Sequence, residues 1–143
     1  MGRINILFLI LGSVIIVLGI SLYNKFEKKS IKNDLYENSK LRVEVLNGCG
    51  VDNLAMIISD KIRKLGFDVV ETGDASNFEF KETVIIDRTD KNLKNAKRIG
   101  SVIGCRKFGR DIDSTLYIDV TVLLGKDYER YFPDVKKNPP WKR

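Results

Sequence analysis

An uninterrupted apolar run near the amino terminus constrains the fold of this chain more than any other feature. From Ile4 to Tyr23 the sequence reads INILFLILGSVIIVLGISLY and carries no charged side chain. At about 1.5 Å of rise per residue, a helix of this length spans the roughly 30 Å hydrocarbon core of a bilayer. The run exceeds the apolar region of a typical signal peptide, and no small-residue cleavage site follows it. We therefore expect one uncleaved transmembrane helix at 4–23, preceded by a short flank at 1–3.

The charges around this helix leave its orientation open. Only Arg3 precedes it. The lysines that follow it closely are Lys25, Lys28, Lys29 and Lys32. The positive-inside rule therefore favours a cytoplasmic domain, but the rule is weaker where a long domain follows a single helix. We expect the polar segment at 24–40 to be a stalk whose first turns continue the helix.

The remainder of the chain shows strand-like and helix-like periods in turn. Apolar and charged residues alternate from Leu41 to Val45, which is typical of a half-buried strand. The predicted elements are strands at 41–46, 67–71, 83–87 and 118–124, and helices at 54–65 and 93–103. This β-α-β-β-α-β order predicts an α+β domain at 41–131 with the ferredoxin-like split-βαβ fold, in which a four-stranded sheet carries two helices on one face. The segment 132–143 contains all three prolines and is expected to be a basic irregular tail.

The composition argues against catalysis, metal binding and nucleic-acid binding. The chain has no histidine, the commonest general base and metal ligand, and its two cysteines lack the ligand spacing of a zinc site. Its net charge of +6 comes from interspersed signs rather than from a dense basic face. Asp87, Asp119 and Asp127 could form a carboxylate cluster. The alternative is structural: Asp87 ends a strand, and Asp127 pairs with Arg88 or caps the turn after Gly125. We expect a non-enzymatic protein without a cofactor.

The strongest candidate for ligand binding is the turn formed by Asn47, Gly48, Cys49 and Gly50. Its two glycines allow backbone N–H groups to converge ahead of a helix, a geometry that binds anions. The alternative is that the glycines supply positive φ values for a strand-to-helix turn, while Asn47 ties the loop through its side chain. Asp52 or Asn53 would cap the helix that follows. Both interpretations remain open at this point.

Five sequence blocks resemble one known family in their order and spacing. They are VEVLNGCGVDNLA at 43–55, LGFDVVETGDA at 65–75, TVIIDRT at 83–89, Ala96, and DVTVLLGKDY at 119–128. The first block contains an apolar strand, Asn-Gly-x-Gly and a Leu-Ala pair that opens a helix. This is the common pattern of the LytR C-terminal domain family, which the chain resembles over nearly all of 42–128. One departure is Asn53, where the family often has glycine.

The resemblance implies a cell-envelope protein. The catalytic phosphotransferase domain that often precedes this module in LytR-CpsA-Psr proteins is not expected here, because only the anchor and the stalk come first. Family members of this short kind look like extracytoplasmic envelope proteins. The resemblance therefore implies a non-catalytic, membrane-anchored module that binds cell-wall glycopolymer or an envelope-assembly protein. The alternative is a protein-interaction domain that uses a sheet edge, on either side of the membrane.

The predicted topology places both cysteines at one end of the domain. In a split-βαβ fold the first strand and the second helix run the same way. Cys49 and Cys105, which follow them, should then lie at the same end, together with Arg106, Lys107 and Arg110. In an oxidising compartment the two cysteines could form a disulfide, unless the loop carries Cys105 away. The three basic residues could form a pocket for a phosphate-bearing polymer or lipid, or merely keep an exposed loop soluble.

Overall fold

The computed structural model describes residues 2–113 and 115–137, and for residues 2–7, 9, 30, 31, 136 and 137 it describes the backbone only. The end of the predicted tail, 138–143, lies outside the described residues. The helices are α1 (Gly2–Asn38), α2 (Leu54–Lys64), α3 (Lys94–Ile103) and α4 (Pro133–Lys137), with a 3₁₀ turn at Tyr128–Arg130. The strands are β1 (Arg42–Asn47), β2 (Asp68–Asp74), β3 (Val84–Asp87), β4 (Phe108–Arg110) and β5 (Val120–Leu124). The chain divides into two compact units, one up to Asp34 and one from Leu35 on.

The first unit consists of most of α1. Among the described residues, one helical segment, Ile10–Asn38, is long and apolar enough to cross a membrane by its length and composition. The apolar stretch of this segment is not buried inside the protein. It includes residues 10–23 of the predicted transmembrane helix. The helix also continues through the polar stalk, which confirms that the first turns of the stalk are helical.

The second unit is built on one mixed sheet of five strands. Its strand order is β2-β1-β5-β3-β4. β1 pairs in parallel with both β2 and β5, β3 pairs in parallel with β4, and β3 and β5 are antiparallel. The α+β class is confirmed, but the four-stranded ferredoxin-like split-βαβ description is not. Two unsplit units, β1-α2-β2 and β3-α3-β4, flank the central β5, so the paired strands of each unit lie side by side.

The strand that the sequence does not predict is β4. It has only three residues, Phe108 to Arg110, with Gly109 at its centre, so no apolar alternation marks it. Its structure comes from pairing with β3, in which Ile85 lies opposite Phe108 and Asp87 lies opposite Arg110. Strand formation of this kind depends on neighbours that are distant in sequence rather than on local propensity.

Both long helices of the globular unit pack on one face of the sheet, as the sequence predicts. Val45, Val122 and Ile85 are neighbours across β1, β5 and β3. They share one buried cluster with Ile58 of α2 and Ile99 of α3. Full burial of such a side chain contributes roughly 1.5–3 kcal/mol. This shared core fixes α3 over the β3 side of the sheet, where the candidate site lies.

The globular unit begins and ends differently from the predicted boundaries. It starts at Leu35 rather than at Leu41, and Asn38 is buried. The amide of Asn38 donates to the Leu65 carbonyl at 3.1 Å and accepts from Arg98 Nε at 2.7 Å. At the other end, two apolar residues ahead of and within α4 join the core cluster, Phe132 and Val135. The described part of the predicted irregular tail is therefore packed and partly helical, because these side chains bury apolar surface.

Candidate functional site

The sheet has two ends and two edges, which together locate each candidate residue. We call the end that holds Arg42 and Asp87 the proximal end, and the end that holds Asn47 and Val84 the distal end. One edge is β2, and the other is β4.

The segment that contains α3 and β4 carries a concentrated positive charge. The segment 91–110, which contains α3 and β4, has seven basic residues and no acidic residue. The basic residues are Lys91, Lys94, Lys97, Arg98, Arg106, Lys107 and Arg110. Their combined charge of +7 exceeds the net charge of the whole chain, +6, so the rest of the chain carries a net charge of −1. The cations are thus clustered, although the overall composition suggests interspersed signs.

A cavity of about 510 Å³ lies between α3 and β4, and we call it the α3/β4 groove. Its lining residues are Lys97, Gly100, Ser101, Gly104, Cys105, Arg106 and Phe108. Gly100 allows the helix to approach the strand closely, because a Cβ there would lie 2.5 Å from the Cys105 carbonyl oxygen and 2.6 Å from Phe108 Cε1. The walls combine two cations, a hydroxyl and an aromatic ring, which suits an anionic ligand with some apolar surface.

Several cations of this segment contact uncharged partners. Lys97 Nζ donates to the Asn92 carbonyl, just before α3, at 3.1 Å. Arg110 Nη1 donates to the Lys91 carbonyl, also at 3.1 Å. Lys107 differs, because it forms an ion pair with Glu82. A carbonyl contact orients a cation without cancelling its charge, so Lys97 and Arg110 keep their attraction for an anion.

The structure brings together only part of the predicted basic pocket. Arg106 and Lys107 lie with Cys105 at the distal end, just before β4 begins. Arg110 is opposite Asp87 in the ladder and therefore lies at the proximal end. Arg110 does not join the other two because β4 is an extended strand rather than a loop, and its ends point to opposite ends of the sheet.

The N–H groups of the Asn47–Gly50 turn donate within the protein. That of Gly48 donates to the Leu124 carbonyl at 2.9 Å. Those of Cys49 and Gly50 both donate to Asn47 Oδ1, at 3.3 and 3.2 Å. Asn47 Nδ2 continues the pattern by donating to the backbone carbonyl four residues later, at 3.0 Å. The geometry favours the structural interpretation of this turn, since its donors already have acceptors.

The two cysteines are free thiols. Cys105 is fully buried, and its Sγ donates to the Thr83 carbonyl at 3.6 Å. The Sγ of Cys49 donates to Asn47 Oδ1 at 3.5 Å, and burial raises the pKa of the Cys49 thiol. Both cysteines lie at the distal end, as predicted, but β5 and β3 separate the strands beside them. The Cys49–Cys105 disulfide is therefore absent from the structure.

Two of the three candidate catalytic carboxylates hold backbone segments in place. Buried Asp87 accepts hydrogen bonds from three backbone N–H groups between Thr89 and Ala96, which fixes the start of α3. Asp119 accepts from the backbone N–H and the guanidinium of Arg42 at 3.0–3.1 Å. Burial raises the pKa of Asp119, but the hydrogen bonds and charge of Arg42 outweigh it, so that this pKa is lowered.

The third carboxylate, Asp127, closes the distal end of β3. It accepts from the backbone N–H and the hydroxyl of Thr83, at 2.6 and 2.8 Å. The predicted partner Arg88 instead forms an ion pair with Asp111 and donates to Thr121 Oγ1 at 2.9 Å. The aspartates thus act on separate parts of the backbone rather than as one cluster.

Two further cavities are smaller than the α3/β4 groove. One of about 220 Å³ lies at the start of α2, beside the ends of β1 and β2. Another of about 320 Å³ lies among α2, α3 and the segment around α4. Within residues 2–113 and 115–137, no group of three or more His, Cys, Asp or Glu side chains could hold a metal ion.

One family profile matches most of the globular unit. The family described as "LytR cell envelope-related transcriptional attenuator" matches residues 40–128, which is more than half of the chain. The chain belongs to this family. The resemblance of the five sequence blocks to the LytR C-terminal domain family is thereby confirmed.

One solved structure is similar to this LytR C-terminal domain protein. It is the soluble domain of a conserved hypothetical secreted protein from Mycobacterium marinum, with 21% sequence identity and a TM-score of 0.47. The match covers 63% of this chain and 62% of that one, so it spans less than two thirds of the related structure. No curated protein matches the chain.

The start of α2 explains one departure from the family pattern. Asn53, where LytR C-terminal domains often have glycine, adopts a left-handed conformation with φ of 57°. Glycine adopts this conformation freely, and asparagine tolerates it better than most residues do. Asn53 occupies the cap position, but no side-chain cap hydrogen bond forms there. The prediction of a side-chain cap is wrong because the residue at the turn is needed for its backbone conformation.

Sequence reasoning identified Arg106 but missed Lys97 as a residue of the same groove. Lys97 lies on the predicted second helix, nine positions before Arg106, and only the close packing of α3 on β4 brings both into one wall. A usable signal was nevertheless present, because charge counted over the segment 91–110 alone reveals the cationic cluster.

Proposed function

We propose that this LytR C-terminal domain protein is a membrane-anchored module of the cell envelope whose domain lies outside the cytoplasm and binds cell-wall glycopolymer. Family membership supports the envelope setting, and the apolar helix α1 supports anchoring. The observation that carries the binding role is the α3/β4 groove, an accessible cavity of about 510 Å³ with cationic walls.

The proposed role is binding rather than catalysis. The sequence has no histidine, and a general base must therefore come from another residue type. The carboxylates of Asp87, Asp119 and Asp127 accept hydrogen bonds that fix backbone or side-chain positions. A carboxylate with such a structural task is a poor proton acceptor for a substrate. The test is activity screening on wall polymers: a reaction that Asp87→Asn or Asp119→Asn abolishes in a folded protein would contradict the non-catalytic role.

The location of the domain is tested by protease digestion of intact spheroplasts that express the chain with a carboxyl-terminal epitope tag. We expect the tag to be lost from intact spheroplasts, as an extracytoplasmic domain requires. A tag that is protected until the cells are lysed would place the domain in the cytoplasm. In that case the lysines after the apolar run have determined the orientation.

The binding role is tested by co-sedimentation of the detergent-solubilised full chain with isolated cell-wall material. We expect the wild-type chain to appear in the pellet and an equal amount of a membrane-anchored control protein to stay in solution. A wild-type chain that remains in the supernatant at physiological salt would contradict wall binding.

The second candidate function is capture of an envelope protein at a sheet edge. β2 favours it, because this seven-residue strand has a neighbour on one side only. The ladder between β1 and β2 is irregular at Val70, whose side chain is exposed. If β2 captures a partner, Val70→Lys should reduce that capture and leave wall binding unchanged. Loss of wall binding in this variant would instead place the wall ligand at β2.

A further inference from the structure

We infer that the α3/β4 groove binds a linear glycopolymer carrying phosphodiester groups, with Lys97 and Arg106 as its principal contacts. This assignment rests on the proposed wall-binding function and adds the chemical class of the ligand and the residues that hold it.

The first argument is the local charge. The segment 91–110 carries seven basic residues and no acidic one, whereas the remaining residues sum to a net charge of −1. Two of these basic residues, Lys97 and Arg106, line the groove. Crowding of like charges costs free energy in the unliganded protein unless an anion or solvent screens it. The carbonyl contacts of Lys97 and Arg110 leave their charges uncompensated. A polyanion would supply the missing negative charge.

The second argument is the direction of the groove. α3 starts at the proximal end, where Asp87 accepts the N–H of Ala96, and it ends at the distal end beside Cys105. Its ten residues are about 15 Å long. Lys97 lies in the first half of the helix, and Arg106 lies just beyond its end. A ligand that meets both must carry charges along an extended chain rather than at a single point.

The third argument is the chemistry of the walls. A guanidinium can bind two oxygens of one phosphate through parallel N–H bonds, and an ammonium attracts a second phosphate as a compact charge. Ser101 contributes a hydroxyl to the groove, and Phe108 contributes an apolar wall. This combination suits an alternation of phosphodiester and sugar or polyol units. A simple inorganic anion would use the cations and leave the rest of the cavity unfilled.

Anionic phospholipid headgroups are the other envelope source of phosphodiesters. They form a flat surface, whereas Lys97 and Arg106 line a concave groove between α3 and β4. The groove geometry therefore favours the polymer. Vesicles that contain phosphatidylglycerol serve as a separate arm of the experiment.

The experiment measures binding to the full chain in nanodiscs of zwitterionic phosphatidylcholine. The probe is fluorescent poly(glycerol phosphate), and polygalacturonate and dextran provide carboxylate-bearing and neutral comparisons. The test variant is K97E/R106E. The matched control is K64E/K81E, which changes the net charge equally at exposed positions outside the groove. The exchange K97R/R106K keeps the charges and should retain binding, and thermal unfolding checks that every variant is folded.

We expect the wild type and K64E/K81E to bind poly(glycerol phosphate) within about threefold of each other, and K97E/R106E to bind at least roughly tenfold more weakly, since like charges then face the ligand. If both double variants lost affinity equally, the loss would come from net charge alone, and the assignment of binding to the groove would be wrong. Equal binding of polygalacturonate would overturn the phosphodiester assignment. Vesicle binding that K97E/R106E abolishes, without polymer binding, would assign the groove to lipid and contradict the inference.

Wall material stripped of its phosphate polymers by hydrofluoric acid separates this inference from the proposed function. Binding to intact but not to stripped wall supports both. Equal binding to intact and stripped wall keeps the wall-binding function and overturns the phosphodiester assignment. If the chain binds poly(glycerol phosphate) but neither wall sample, the groove assignment stands and wall binding fails.

Discussion

The two edges of the sheet differ in length, charge and shape. β2 has seven residues, an irregular ladder at Val70, three acidic side chains (Asp68, Glu71 and Asp74) and no basic one. β4 has three residues and lies beside α3 in the segment 91–110, which has seven basic residues and no acidic one. A cavity follows the second edge between the strand and the helix.

The difference shows how each edge avoids unwanted pairing and what it can bind. An exposed edge presents unpaired backbone groups to other chains, and proteins protect it with charges, irregularities or short length. β2 is protected by charges and an irregular ladder, whereas β4 is too short to pair extensively with a strand of another chain. The cations beside β4 are therefore not needed for edge protection. Opposite charges at the two edges would attract an anionic polymer to α3 and β4 and repel it from β2.

The largest expected effect compares one glycine near each edge. Gly100→Ala forces a Cβ to within 2.5 Å of the Cys105 carbonyl oxygen, whereas the nearest neighbour of a Cβ at Gly73 is Leu46 Cδ2 at 3.7 Å. Overpacking of this kind costs about 2 kcal/mol or more, so Gly100→Ala should lower the free energy of unfolding by that amount. Gly73→Ala should change it by less than about 0.5 kcal/mol. Chemical denaturation of the detergent-solubilised chain measures both. Equal effects would mean that α3 does not pack closely on β4.

The next prediction concerns the ion pair between Arg42 of β1 and Asp119, which precedes β5, at the centre of the sheet. Asp119→Asn removes the charge that accepts three hydrogen bonds from Arg42 and should cost about 1–2 kcal/mol near neutral pH. Because the folded pKa of Asp119 is lowered, its contribution is complete above the unfolded pKa of about 3.9 and is lost as pH falls through the folded pKa. The free energy of unfolding of the wild type should therefore fall in acid more steeply than that of Asp119→Asn.

Polymer binding provides a second test of the Asp119→Asn variant. Asp119 contacts Arg42 and does not line the α3/β4 groove, so we expect Asp119→Asn to bind poly(glycerol phosphate) like the wild type at neutral pH. Loss of binding in a folded Asp119→Asn variant would show that the carboxylate serves the ligand rather than the sheet.

Salt should weaken binding at the basic edge by about an order of magnitude. A polyanion that contacts two or three cations releases counterions, so the dissociation constant should rise roughly tenfold between about 50 and 200 mM salt. Fluorescence anisotropy over this range measures the slope. In K97E/R106E the slope should be shallower, and an unchanged slope would place the contacts elsewhere.

The smallest effect is expected from charge reversal at the acidic edge. D68K/E71K makes β2 cationic and raises the net charge of the chain by four. Charges beyond the Debye length of about 8 Å are largely screened at physiological salt, so polymer binding should change by less than about twofold. The same anisotropy assay measures this. An increase that approaches tenfold would show that total charge, rather than the groove, governs binding.

Periodicity was sufficient to predict the longer elements of the globular unit. Alternation predicts β1 and the end of β5, and the helical spacing of Ile58 and Ile99 predicts α2 and α3 on one face of the sheet. It fails for β4, because Phe108 to Arg110 become a strand only through pairing with β3. That strand adds an edge to the sheet and moves Arg110 away from Arg106. The sheet order differs from the predicted one because β1 pairs with β2 and β5.

The candidate site shows the same division between local and distant information. The residues of the Asn47–Gly50 turn indicated both a nest for anions and a self-contained loop, and the choice depends on where the side chain of Asn47 points. Charge counted along the chain could have identified the cationic segment. The groove between Lys97 and Arg106 could not be predicted, because it requires the position of β4 beside Gly100.

Hydrogen–deuterium exchange tests the difference between the edges most directly. The full chain in phosphatidylcholine nanodiscs would be measured with and without saturating poly(glycerol phosphate). We predict slower exchange at residues 94–110 in the presence of the polymer and unchanged exchange at 68–74. Protection at 68–74, or unchanged exchange at both edges despite saturation, would contradict the assignment of the polymer to the α3/β4 groove.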